Sequence, residues 1–138
     1  MTVRSLLTVC ALTLSLGCVG CKGAKPDGPL TGTESLHDLM ESMESASKPL
    51  FDRSAGAALT DVDVTALTAS ASRVQAINAA VKTRFAGSKP PTFAAHAEQL
   101  EKGTQEVLAA LTAKDAAALQ AATKSLGGAC GSCHKEFK

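Results

Sequence analysis

The chain has few of the large, flat side chains that usually help to fill the core of a small domain. None of its 138 residues is tryptophan or tyrosine, and aromatic residues make up only 3% of the total. The supply of bulky apolar groups is therefore thin for a domain of this length. The chain also lacks an excess of either charge. Its formal net charge of +1 gives no case for a nucleic acid or an anionic membrane surface as the partner.

Strand patterns and long apolar runs are missing as well. The β-branched residues are scattered without the alternation of a half-buried strand, whereas alanine is abundant and favours helix. The apolar run near the start covers residues 5–17, which is 13 residues and too short to span a bilayer comfortably. We therefore expect a single all-α domain preceded by a short export signal.

Residues 1–21 have the pattern of a secretory signal, because a single early arginine precedes the apolar run. The end of the run, Leu14-Ser-Leu-Gly-Cys18, is similar to a bacterial lipoprotein signal, in which a small residue precedes the cysteine that becomes lipidated. Cys21 is a competing lipidation site, and a plain signal peptide is the alternative. Residues 22–33 are rich in Gly, Pro and Lys and predict a flexible tether. We expect a periplasmic or extracytoplasmic lipoprotein that meets the membrane only through its lipid anchor.

Two of the five cysteines occur near the C-terminus, in the run Cys130-Gly-Ser-Cys-His134. This C-x-x-C-H spacing is the signature of covalent haem attachment, in which two thiols form thioether bonds to the porphyrin and the histidine ligates the iron. On a helix, Cys133 and His134 lie three and four residues after Cys130, so all three side chains project from one face. The motif predicts one haem c, with His134 as its axial ligand. A buried haem would fill much of the space that the scarce aromatic side chains leave.

A C-x-x-C pair can also be a redox dithiol, half of a zinc site or a short-loop disulfide. Zinc would need two more ligands, and the sequence offers only His37 and His96 besides the motif, with no second C-x-x-C. A thioredoxin-like dithiol opens a helix after a strand, whereas this pair comes late in a helical segment without a βαβ pattern. The histidine directly after the second cysteine favours haem. His96 is expected to be a packed or solvent-side histidine.

Apolar residues recur at three- and four-residue spacing in four segments, which predicts four amphipathic helices. The first begins at Thr33 or Ser35, and Pro49 should kink it. After a break at Gly56, the second begins near Thr60 or Asp61. The stripes of these two helices comprise Leu36, Leu39, Met40, Met43, Ala46, Leu50 and Phe51, and then Leu67, Val74, Ile77, Val81 and Phe85.

The third helix follows the break at residues 87–91 and is capped by Thr92, with Gly103 weakening its middle by about 1 kcal/mol relative to alanine. A break at residues 112–115 leads to the last helix, which carries the motif. The stripes comprise Phe93, Ala97, Leu100, Thr104, Val107 or Leu108, and Leu111, and then Leu119, Ala122, Leu126, Ala129, Cys133 and Phe137. Four such helices with short connections predict an antiparallel up-down-up-down four-helix bundle, with the haem near the end of the last helix.

The motif and its position resemble the cytochrome c prime family over residues 34–138. That family is an antiparallel four-helix bundle with C-x-x-C-H near the end of its last helix, commonly followed by two residues, an aromatic and an arginine. Here the aromatic is Phe137, and Lys138 stands where arginine is usual. In the first helix, Leu36 stands where the family often has an arginine four residues before the distal apolar position, counted from Met40. The resemblance implies that Leu36 and Phe137 lie beside the haem.

The sixth position of the iron is open to more than one prediction. Only four residues follow His134, so a sixth ligand comes from an earlier helix or is missing. Met40 and Met43, on the inward stripe of the first helix, are candidates on the distal side, with His37 one turn before Met40. A methionine stripe is more often plain core than a ligand. The resemblance implies a non-ligating apolar residue there.

Two functions follow from these patterns. The first is an exported monohaem electron carrier that exchanges single electrons with redox partner proteins. The alternative is a haem protein whose open, apolar distal site binds NO or CO. We expect no enzyme, since no carboxylate pair, Ser/His/Asp set or phosphate-binding loop stands out. A second copy of the chain is a further possible partner.

Overall fold

The computed structural model describes residues 28–53 and 57–137. Within these ranges it contains no strand and four α-helices, α1 Leu36–Asp52, α2 Asp61–Phe85, α3 Pro91–Thr112 and α4 Ala116–Phe137, with a 3₁₀ turn Ala86–Ser88 after α2. The predicted all-α class and number of helices are therefore confirmed. The predicted signal peptide with Cys18 and Cys21, the tether up to residue 27, Gly56 and Lys138 lie outside the described residues.

Capping boxes begin the first two helices and decide between the predicted start positions. Ser35 Oγ accepts a hydrogen bond from the Asp38 backbone N–H at 3.1 Å, while the Asp38 carboxylate accepts one from the Ser35 backbone N–H at 3.0 Å. Thr60 and Asp63 make the same reciprocal pair before α2. Each box satisfies two backbone N–H groups that the helix itself cannot pair. The first helix therefore starts after Ser35 rather than Thr33, and it runs through Pro49 to Asp52.

The start of α3 differs from the prediction, which made Thr92 its cap. The N-cap is Pro90, and Pro91 is the first helical residue. Proline suits that position because its ring presets the helical φ and it lacks an N–H that would otherwise go unpaired. The Thr92 hydroxyl is thus released from capping and donates instead to the Glu136 carboxylate on α4.

Polar contacts between helix ends show that neighbouring helices run in opposite directions. Arg84, at the end of α2, pairs with Glu34 just before α1 at 3.1 Å. Thr92, at the start of α3, bonds to Glu136 at the end of α4. The helices therefore alternate up and down around one core. Its largest fully buried side chains all belong to the predicted stripes: Leu39, Val74, Ile77, Thr104, Val107, Leu111 and Leu126.

Two glycines determine how α4 meets its neighbours. A Cβ on Gly103 would lie 3.2 Å from the Leu126 Cα, so the absence of a side chain lets α3 and α4 approach closely. Gly127 lies under the ring of Phe51, where an added Cβ would be 3.4 Å from the ring edge. Phe51 was predicted to be buried but is 43% exposed, since it covers α4 from the outside. Elsewhere α1 and α4 make little direct contact, which leaves room between them.

Candidate functional site

A cavity lies at the end of the bundle where α1 and α3 begin and α2 and α4 end. It contains about 420 Å³ of empty space, part of it open to solvent. The space that a water-sized molecule can occupy within it is smaller, about 50 Å³. All four helices contribute to its lining, which comprises Met40, Met43, Asn78, Val81, Phe93, His96, Ala97, Leu100, Ala129, Cys130, Cys133 and His134.

One face of α4 brings the whole C-x-x-C-H motif to this cavity. Cys130, Cys133 and His134 all line it, as helical spacing at three and four residues predicts. The two thiols are half-buried and free, and His134 is exposed on its outer side. The sequence prediction that these three side chains share one face therefore agrees with the geometry.

The two thiols of the motif lie in surroundings that disfavour the thiolate form. Burial raises the pKa of the Cys130 thiol, and the neighbouring Cys133 adds to the effect. Burial also raises the pKa of Cys133, helped by the carboxylate of Glu136. Dithiol oxidoreductases instead depend on a lowered thiol pKa. Nor do the ranges 28–53 and 57–137 contain a group of three or more His, Cys, Asp or Glu side chains that could hold a bare metal ion.

The candidates for the sixth ligand are placed differently from one another. Met40 and Met43 both line the cavity; Met43 is 7% exposed and Met40 is half-buried. His37 points away, since its side chain is 80% exposed and its Nε2 lies 3.2 Å from the Glu41 carboxylate. Leu36 packs against the core and is not among the residues that line the cavity. Both methionines, but neither of the other two residues, are therefore brought to the motif.

His96 and Glu136 clasp the last turn of α4 to the first turns of α3. The Nε2 of His96 lies 2.9 Å from Glu136, whose second oxygen accepts the Thr92 hydroxyl. The hydrogen bond from Thr92 contributes most, and that from His96 adds to it. Together they hold the pKa of the Glu136 carboxyl below its usual range. Phe137 packs edge-on against Phe93, with ring centroids 5.2 Å apart, and against His96 at 5.9 Å. Phe137 therefore packs against two residues of the cavity wall but does not line the cavity itself. His96 is a packed histidine.

Asn78 is the cavity residue that the sequence analysis missed. It is 2% exposed and donates a hydrogen bond from Nδ2 to the Ala97 carbonyl at 2.8 Å. The sequence does mark this position as buried, because residue 78 is four residues after Val74 and three before Val81 and so falls on the apolar stripe of α2. A polar residue on a buried stripe needs a hydrogen-bonding partner and merits attention for that reason.

The residues present fit a covalently bound haem. Two thiols and an imidazole on one helix face are the donor set that c-type attachment requires. The remaining lining is apolar apart from Asn78 and His96, and it contains no Asp, Glu, Lys or Arg among the described residues. An apolar enclosure of this kind suits a porphyrin face and limits the access of water to the iron.

A comparison of the chain with models of protein families gives a match. A family model described as Cytochrome C' matches residues 33–138, which include all four helices and the whole motif. Comparisons with curated proteins and with solved structures find no significant match.

Proposed function

The chain belongs to the cytochrome c prime family, and on this basis we propose that it is an exported monohaem c-type cytochrome that exchanges single electrons with other redox proteins. One observation carries the proposal. Cys130, Cys133 and His134 border a single cavity whose other walls are almost entirely apolar. This combination supports covalent attachment and burial of a haem at one end of the bundle.

Each residue of the motif has a separate role in this proposal. Cys130 and Cys133 would hold the haem covalently through thioether bonds, and His134 would ligate its iron. When bound, haem supplies a one-electron iron couple whose potential depends on axial ligation and burial. The clasp of His96 and Glu136 holds the turn of α4 that carries His134. The apolar walls keep water from the ring and so help to set the potential.

The sixth position decides how well the protein is suited to electron transfer. Met40 is our first candidate for a sixth ligand because it lines the cavity and is less enclosed than Met43. A methionine bound to iron would keep it low-spin in both oxidation states. Electron transfer would then be fast, since little of the site reorganises.

We also propose a second function, binding of NO or CO at an open iron. The observation in its favour is that Met43 is 7% exposed and packs as an ordinary core residue, while the surrounding wall has no charged side chain among the described residues. An apolar wall of this kind accepts small neutral diatomic molecules. In this case Met40 and Met43 pack beside the haem without ligating it.

An absorption spectrum of the holoprotein, oxidised and reduced, would test both functions. The protein should be produced in an exporting host with c-type maturation. Haem that stays with the polypeptide after acid and organic extraction is expected, whereas Cys130→Ala or Cys133→Ala should lose it readily. Ser132→Ala is the matched control, because Ser132 lies between the cysteines and its hydroxyl donates to the Gly128 carbonyl of its own helix. Haem lost from the wild type on extraction would refute covalent attachment.

The spectrum separates the two functions. A low-spin reduced form that binds CO slowly supports the methionine-ligated electron carrier. A high-spin form that binds CO rapidly supports the gas-binding protein. A low-spin spectrum that survives Met40→Ala and Met43→Ala but is lost in His37→Ala would contradict both and require a bis-histidine iron.

Export and lipidation need their own experiment. No helix in residues 28–53 and 57–137 is long and apolar enough to cross a bilayer. We propose that the lipid on Cys18 or Cys21 anchors the protein, so the mature form should partition into detergent. Replacing both cysteines with serine should release it from the membrane fraction. A water-soluble wild-type product would remove the anchor from the proposal and leave the exported haem protein intact.

A further inference from the structure

The first helix is held in the bundle chiefly by the second. Among the described residues, α2 is the one helix against which α1 packs extensively. The far end of α1 has a further support, because the ring of Phe51 lies over Gly127 of α4. The other end carries Met40, which lines the cavity. The position of Met40 therefore depends on how the start of α1 is fastened to α2.

An ion pair between Glu34 and Arg84 joins the start of α1 to the end of α2. Nη1 of Arg84 lies 3.1 Å from the Glu34 carboxylate, and Nη2 donates to the backbone carbonyl of the same residue. The Glu34 side chain is 10% exposed and the Arg84 side chain 25% exposed. Exposed ion pairs contribute little, but a largely buried pair that uses both ends of the guanidinium fork fixes the geometry of its partners.

Neighbouring groups hold both side chains of the pair in place. The Glu34 carboxylate accepts hydrogen bonds from the Gly32 backbone N–H at 3.0 Å and from the Thr31 hydroxyl at 2.9 Å. The Arg84 guanidinium lies over the ring of Phe85, 5.0 Å from its centroid, where a cation is attracted to the aromatic face. Side chains that are already held lose little freedom when they pair, so the contact is a firm one.

The chain that leads into α1 is fastened to the same face of α2. Arg73 is 11 residues before Arg84, which is about three helical turns, and it donates to the Gly28 carbonyl. Leu30 packs against the core between these two points. Residues 28–34 are thus held to α2 at both ends, and α1 begins from a fixed position at Glu34.

We infer that Glu34 and Arg84 are positioning residues, which hold the start of α1 against α2 and thereby set the place of Met40 in the cavity. The inference rests on the proposed function, since it presupposes a haem in that cavity. Met40 lies beside the haem in both proposed functions, as a ligand in one and as packing in the other. Outward movement of the start of α1 would therefore free the sixth position in either case, and CO would bind faster.

Hydrogen exchange of the haem-loaded protein measures how often the start of α1 detaches. Arg84→Leu removes both hydrogen bonds to Glu34, so the amides of residues 39–43 should exchange about tenfold faster, the change expected from loss of a charge-assisted hydrogen bond. The amides of α3 should keep their rates. Lys48→Ala is the matched control, because it removes the exposed pair with Asp52 farther along α1, and it should leave the exchange of residues 39–43 unchanged.

The rate of CO association with the reduced holoprotein is the second readout, and it should rise together with exchange in residues 39–43. Glu34→Ala should give a smaller rise than Arg84→Leu, because Arg84 keeps its bond to the backbone carbonyl of residue 34. Glu34→Gln should lie closer to the wild type, since its amide oxygen still accepts. These two variants also carry the test if Arg84→Leu fails to fold.

A double-mutant cycle shows whether the pair acts through Met40. In a Met40→Ala background, Arg84→Leu should no longer accelerate CO association. A full further acceleration in that background, exchange that rises equally in α3, or unchanged CO association in the single variants would overturn the inference and leave the proposed function intact. A protein that matures without haem would refute the proposed function, and the inference with it.

Discussion

Replacing Gly103 with alanine tests the close approach of α3 and α4. The added Cβ would lie 3.2 Å from the Leu126 Cα and 3.3 Å from its Cδ1. A leucine side chain can rotate away, but the Cα belongs to the backbone of α4 and can move only with the helix. In an open position the same change would stabilise the helix by about 1 kcal/mol. Overpacking of a close interface costs about 1–3 kcal/mol, so we expect Gly103→Ala to be neutral or to destabilise by up to about 2 kcal/mol.

Gly128→Ala is the matched control for this prediction. Gly128 lies inside α4, and a Cβ there would meet nothing within 4 Å. The substitution should therefore give the full helical gain of about 1 kcal/mol. Urea unfolding of both holoproteins, followed by circular dichroism, should place the two variants about 1–3 kcal/mol apart, with equal haem content confirming that the cofactor site is intact. Equal stabilisation by both substitutions would show that α3 and α4 are not in close contact at Gly103.

Three further outcomes follow from the packing and the charges. Met43→Ala should lower the free energy of unfolding by about 2–5 kcal/mol in a urea titration, and Met40→Ala by less, since Met43 is 7% exposed while Met40 is half-buried. Thr60→Ala should cost about 1 kcal/mol, measured by thermal unfolding, because it removes the cap of α2. Hydrogen bonds lower the pKa of Glu34 from 4.5 to about 2, and the one from the Thr31 backbone contributes most. Its contribution to stability is therefore complete above pH 4.5 and lost as the pH falls toward 2, and Glu34→Gln should flatten that part of an acid unfolding profile.

The helices and the motif could be predicted because both depend on residues close together in the chain. Stripes at three- and four-residue spacing identify the faces that become buried, and the largest fully buried side chains all lie on them. Helical spacing alone brings Cys130, Cys133 and His134 to one face, so this half of the site was accessible without a structure. The prediction failed where two local signals competed, as at Thr92, where Pro90 and Pro91 determine the start of α3 instead.

The sequence by itself determined the helical class, the haem-attachment motif and the order of the helices, because local periodicity and spacing encode them. Tertiary structure alone decided which residues from distant parts of the chain meet at the motif. The pairing of His96 with Glu136 joins residues 40 positions apart, and Asn78 reaches the carbonyl of a residue 19 positions away. Such contacts depend on how far each helix is rotated and shifted against its neighbour. Close approaches such as that at Gly103 help to set those positions, and no periodicity within a single helix specifies them.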